Sequence, residues 1–240
     1  MEATADGETR VVSESPAPGL ITVGPRGAAR GAVLLAHGGA KQGAARDSHL
    51  RPPALRMLPF LADIARAGRR RGLAVAQLRY RGVAFNDGDP VRDVEWALDR
   101  LGDRYGVPIC VIGHSMGARA GLLAAGHPSV AAVAGLASWV PPGDPVEQLA
   151  GRTVMLAHGL RDRVTDPARS YAYALRAHGV ADRLCRFEIA GARHAMLERV
   201  GVWQSLTRAF ALGVLGAEPL DTRFTAAFVL PAADACRVPV

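Results

Sequence analysis

The residues best placed to do chemistry are Gly113-His114-Ser115-Met116-Gly117. An apolar run over 107–112 precedes them and a helix-like stretch over 118–125 follows. That succession reads as strand, sharp turn and helix, with a serine at the bend. The flanking glycines let strand and helix approach closely, and the bend forces its central residue into a strained backbone conformation. The serine then projects alone, with the first amides of the helix behind it. A serine hydroxyl attacks poorly near neutral pH and needs an adjacent base to accept its proton. With 27 Gly in 240 residues, chance yields a bare G-x-S-x-G about once in ten such chains, so the flanking strand and helix carry the weight. The competing reading is a glycine-rich turn whose serine only caps the helix.

Hydrophobic periodicity supplies the elements around this turn. Residues 20–23 read as a short strand, and 32–36 as a buried strand running into His37-Gly38-Gly39-Ala40. A long loop over 41–54 leads to a helix over 55–70, with Leu55, Leu58, Leu61, Ala62 and Ala65 at helical spacing. Further strands fall at 73–78, 108–112, 130–136, 153–157 and 183–189. Helices fall at 90–104, from the elbow through 126, at 167–178 and at 197–213. Strands alternating with such helices predict an α/β domain with a mainly parallel, doubly covered sheet of about seven or eight strands. Residues 1–18 read as a flexible N-terminal segment, with an edge strand at Arg10-Val11-Val12 as the one exception, and 19–215 as the domain. The tail, 216–240, does not continue the alternation. Within it, 224–230 reads equally as an added strand, a packing segment or a partner-binding element.

With these residues in place, the chain resembles the α/β-hydrolase fold family over roughly 20–213, in its lidless serine-esterase or dienelactone-hydrolase-like branch. That family orders its triad Ser, then Asp or Glu, then His, each at or after the C-terminal end of a strand. The resemblance implies Ser115 as nucleophile, Asp162 as the acid in the loop after 153–157, and His194 as the base after the last strand. A carboxylate at 162 would fix the histidine tautomer, and an imidazole titrating near neutrality suits proton transfer. Asp144 is the backup acid, whereas Asp166, just ahead of Pro167, reads as a helix cap. The oxyanion hole maps to the amides of Met116 and Gly39, with Ala40 as the alternative second donor, and the Met116 side chain is expected to matter little. His37, His114, His158 and His178 read as structural, and His49 as a substrate contact. Only about 137–152 is free to form a lid, which is too short for a helix pair, so the site should be open, with Trp139 and the 41–54 loop as walls. Dienelactone hydrolases typically use Cys, and Ser115 departs from that pattern. The implied activity is hydrolysis of a small ester or thioester through an acyl-enzyme, without cofactor or metal. Acyl transfer or peptide hydrolysis by the same triad, and a non-catalytic binding protein on the same fold, are the alternatives.

Composition bounds the remaining possibilities. Hydrophobic content of 49 % is ample for a two-sided sheet core. The net charge of +7 could suit nucleic acid, but it is spread through the chain and Lys41 is the only lysine. The dense cluster Arg69-Arg70-Arg71 ends a predicted helix and has no interleaved aromatic residues for stacking bases. Neither nucleic acid nor membrane is therefore expected as a partner, and the acidic, non-hydrophobic start predicts a cytoplasmic protein. Cys110, Cys185 and Cys236 have no metal-like spacing, and the first two fall in predicted strands.

Overall fold

The computed structural model describes residues 17–25 and 27–240, and the strand read at 10–12 lies outside them. The chain runs β1 (Gly19–Val23), β2 (Gly31–Ala36), α1 (Pro52–Gly68), β3 (Leu73–Arg79), α2 (Asp89–Tyr105), β4 (Ile109–His114) and α3 (Met116–Leu123). It continues through β5 (Val130–Leu136), β6 (Thr153–Gly159), α4 (Pro167–His178), β7 (Arg183–Ile189), α5 (Val200–Val214), α6 (Thr222–Phe228), α7 (Ala232–Ala235) and β8 (Val238–Pro239). The strands form one sheet of eight, ordered β1-β3-β2-β4-β5-β6-β7-β8, antiparallel only between β1 and β3. β2, β4 and β6 are buried at every position, as strands covered on both faces must be.

Two apolar layers do the covering. Val94, Leu98 and Leu101 of α2, Ala120 and Leu122 of α3, and Tyr173 and Ala177 of α4 pack on one face. Met57, Phe60 and Ile64 of α1, Trp203 and Phe210 of α5, and Phe224 of α6 pack on the other. The buried stripe of α1 differs from the expected one. The helix starts at Pro52-Pro53, residues suited to its first turn, and buries Ala54, Met57, Phe60, Leu61 and Ile64. Leu55 and Leu58 face solvent.

The tail joins the sheet in a way the sequence reading left open. Residues 222–228 form a helix, not a strand, capped by Asp221 Oδ1, which accepts from the Arg223 amide at 2.9 Å. Phe224 is fully buried between Phe187 and Phe210. The added strand is β8, which pairs in parallel with β7 through Phe187 and Val238. The buried Arg186 guanidinium clamps this end of the chain. It donates to the Cys236 carbonyl at 2.9 Å, to Glu188 Oε1 at 2.8 Å and to Pro167 O at 3.1 Å. No helix among the described residues is long and apolar enough to cross a membrane.

Candidate active site

The C-terminal ends of β2, β4, β6 and β7 bring the sequence-selected residues to one rim. Ser115 sits between β4 and α3 at φ 55° and ψ −114°, a conformation that costs an L-residue of order 1–3 kcal/mol. The surroundings enforce it. The Ser115 amide donates to Leu136 O at 2.9 Å, and Ser115 O accepts from the amides of Arg119 at 3.2 Å and Trp139 at 3.3 Å. The two elbow glycines are sterically required. A Cβ on Gly113 would collide with Gly117 O and the Ala118 backbone, and one on Gly117 with Ala36 O.

His194 lies in the turn after β7, and Asp162 in the turn after β6. His194 Nδ1 donates to Asp162 Oδ2 at 2.8 Å, leaving Nε2 to face elsewhere. Asp162 is not the surface carboxylate that its Arg161 and Arg163 neighbours suggest, because its side chain is fully buried. Its Oδ1 accepts from the amides of Val164 at 2.8 Å and Thr165 at 3.0 Å, and its Oδ2 also accepts from Thr165 Oγ1 at 2.8 Å. Burial alone would raise its pKa, but the hydrogen bonds from His158, His194 and the Thr165 and Val164 amides outweigh that and hold the carboxyl well below the usual carboxylate range. Gly159 permits the approach of the two turns, since its Cβ would lie 2.5 Å from Ala192 O. Among the described residues the Ser115 hydroxyl makes no hydrogen bond. The elbow and the imidazole meet instead through His114, whose ring lies 4.9 Å from that of His194 and whose Nε2 donates to His194 O at 2.9 Å.

The loop after β2 flanks the serine on its other side. A Cβ on Gly38 would stand 3.4 Å from Ser115 Cβ and 3.0 Å from His114 Nδ1. The amides of Gly39 and Met116 make no hydrogen bond among the described residues, so both remain available as donors. Ala40 does not, because its amide donates to Val83 O at 2.8 Å. The Met116 side chain has a packing role beside its amide. Its Sδ and Cε lie 2.6 Å from where a Gly39 Cβ would be, so it packs directly beneath the loop.

Three histidines read as bland turn out to support this rim. His37 Nε2 donates to Asp47 Oδ2 at 2.8 Å with both side chains buried, and its Nδ1 donates to Gly38 O at 2.7 Å. The two contacts fix the ring between the Asp47 carboxylate and the loop. Burial opposes that carboxylate, yet His37 and the Ser48 and Tyr80 amides prevail and lower its pKa. Tyr80 OH closes the knot by donating to His37 O at 3.3 Å. His158 Nε2 donates to Asp162 Oδ2 at 3.2 Å, while its Nδ1 accepts from Ser170 Oγ at 2.8 Å. Ser170 Oγ in turn accepts from Arg186 Nε at 3.0 Å, which connects the acid to the clamp on the tail. His114 is fully buried, and burial, followed by the neighbouring His194, pulls its pKa down to about 3.

Two further expectations change. Asp144 cannot serve as an alternative acid, because Arg119 holds it in a bidentate pair at 2.8 Å and 2.8 Å. His49 lies near Arg79, Asp47 and His37 and does not line the larger cleft at this rim. Trp139 does. It forms, with Lys41, Gln42, Phe85, Arg119 and Arg169, the wall of a cleft of about 580 Å³. There the Arg119 guanidinium is sandwiched 4.1 Å from the Phe85 ring and 4.6 Å from the Trp139 ring. A second cleft of about 410 Å³ opens on the other side and is lined by His194. Between β5 and β6 stands only one short turn of 3₁₀ helix, Glu147–Leu149, so no lid covers either cleft. No group of three or more His, Cys, Asp or Glu side chains among the described residues is arranged to hold a metal.

Solved structures share this arrangement of strands and helices. A lidless α/β serine hydrolase from Xanthomonas campestris superposes with a TM-score of 0.59 over 81 % of this chain and 88 % of its own, at 15 % identity. The chain has the α/β-hydrolase fold. An α/β serine hydrolase homologue from Coxiella burnetii matches with a TM-score of 0.61 over 80 % of this chain and 90 % of its own, at 17 % identity. Est1E from Butyrivibrio proteoclasticus matches at 0.58, over 83 % and 95 %, with 13 % identity. No protein-family model and no curated protein matches the sequence.

Proposed function

We propose that the protein is a serine hydrolase that cleaves a small carboxylic ester or thioester through an acyl-enzyme on Ser115. The observation that carries this reading is the buried, 2.8 Å pairing of His194 Nδ1 with Asp162 beside the strained serine elbow. Asp162 fixes the tautomer that leaves Nε2 free to act as base and stabilises the imidazolium formed during attack. His194 takes the proton of Ser115 as its oxygen bonds to the carbonyl carbon, a hydrogen bond of the kind often made only once substrate is bound. The Gly39 and Met116 amides receive the oxyanion, and the His37–Asp47 pair behind the loop holds it stiff. His194 then protonates the leaving group and activates the deacylating water in the same manner. The fold neighbours described as serine hydrolases support the same reading.

A fluorophosphonate probe should label Ser115, and p-nitrophenyl acetate should be turned over. Ser115→Ala should abolish both. Absence of labelling and turnover in the intact protein refutes the proposal.

A further inference from the structure

We infer that the substrate's leaving group carries an anionic carboxylate or phosphate, bound by the arginines that line the His194 cleft. The inference rests on the hydrolase reading above. In that chemistry the tetrahedral adduct collapses by breaking the bond from carbon to the leaving oxygen or sulfur. The bonding pair goes to that atom, which takes the proton His194 received from Ser115. The leaving atom must therefore lie within hydrogen-bonding reach of His194, and the rest of the leaving group occupies the cleft that His194 lines.

That cleft is lined by Arg161, Arg163, Val164, Arg193, His194 and Ala195, and no carboxylate is among them. Asp162 is adjacent in sequence but fully buried and saturated by its donors. Glu198 reaches only Arg193, at 3.8 Å. Among the described residues, Arg161 and Arg163 make no ion pair. The two clefts differ in kind. In the Trp139 cleft Asp87 stands with Lys41 and Arg169, Asp144 neutralises Arg119, and two aromatic rings form the wall. That side carries the smaller excess of positive charge. Guanidinium groups with no resident partner, placed where the leaving group must sit, match the planar or tetrahedral oxygens of a carboxylate or phosphate.

The test compares acetate esters that differ only in the leaving group: 3-hydroxybenzoate, 3-hydroxyphenyl phosphate and the neutral 3-hydroxybenzamide. The anionic esters should show kcat/KM roughly fivefold to tenfold above the amide, an advantage that shrinks as salt is raised. Arg161→Gln with Arg163→Gln should bring the anionic-to-neutral ratio close to one. Moving the charge to the acyl side, with phenyl hemisuccinate against phenyl butyrate, should give a smaller advantage. Carboxylate and phosphate arms of equal rate indicate simple charge recognition, and a faster phosphate arm indicates a phosphoester metabolite class. A ratio at or below one in the intact protein, or a ratio untouched by the double substitution, overturns the inference while Ser115 labelling stands. Loss of Ser115 labelling itself refutes the hydrolase reading and this inference with it.

Discussion

The two rims of the sheet handle backbone strain in opposite ways. At the N-terminal rim, among the described residues, every position of positive φ is a glycine: Gly27, Gly72, Gly106, Gly151 and Gly216. At the C-terminal rim Asn86, Ser115, Ala137, Met196 and Arg199 adopt positive φ despite their side chains. Buried polar groups divide similarly, with His37, Asp47, His114, His158 and Asp162 all at the C-terminal rim. The N-terminal rim carries the larger cleft, about 790 Å³, lined by Asp99, His127 and Arg152 among others, but that surface has no strained serine and no buried carboxylate–imidazole pair. Cavity size is therefore a poor guide here. Strain and buried, fully partnered charge mark the rim where chemistry is expected, because folding alone would select against both.

Substitutions can break this contrast. Asp162→Asn should produce the largest effect, lowering kcat by roughly 10³–10⁴ because the amide no longer selects the productive tautomer; steady-state ester hydrolysis measures it. Asp47→Asn should lower kcat by about 10-fold to 100-fold with little change in KM, since it frees His37 and loosens the Gly38-Gly39 loop without touching substrate. An equal rise in KM would place Asp47 in substrate binding instead.

Acid should destabilise the protein through the same rim. Between pH 6.5 and 3 the unfolded chain protonates His114 and the folded chain does not. The unfolded state then binds more protons, so stability falls as pH drops, by roughly 4–5 kcal/mol at pH 3 from this group alone. Asp162 acts in the same direction. Its lowered pKa contributes stability above the ordinary carboxylate range that is lost as pH falls toward the folded value. His114→Gln keeps a donor for His194 O and should flatten the fall of Tm between pH 7 and 4. The smallest effects belong to the opposite rim. Gly106→Ala and Gly151→Ala meet no atom within 4 Å of the added methyl, so each should cost only about 1 kcal/mol, from its positive φ, and leave kcat intact.

The elbow, the parallel sheet and most element boundaries were legible because strand, turn and helix each leave a local periodic signal. Residues 130–136, 167–178 and 183–189 were read with the bounds the structure shows. The support beneath the site was not legible. His114 pairs with a residue 80 positions away, and His37 is recognisable only with Asp47 in place, so each histidine considered singly looks inert. The stripe of α1 is only partly legible, because Leu55 and Leu58 lie one position beside the true buried face while Leu61 and Ala65 lie on it, and the Pro52-Pro53 start is the signal that sets the true phase. In the tail, 224–230 read equally as an added strand, a packing segment or a partner-binding element, whereas the Asp221-Thr222 cap was a usable helix signal.

Arg186 gives the last residues of the chain a stake in the chemistry. Through Ser170 and His158, the guanidinium that grips the Cys236 carbonyl also steadies the carboxylate beside His194. Displacing the segment around Cys236 would thus reach the proposed catalytic carboxylate from afar, although its own strand only edges the sheet.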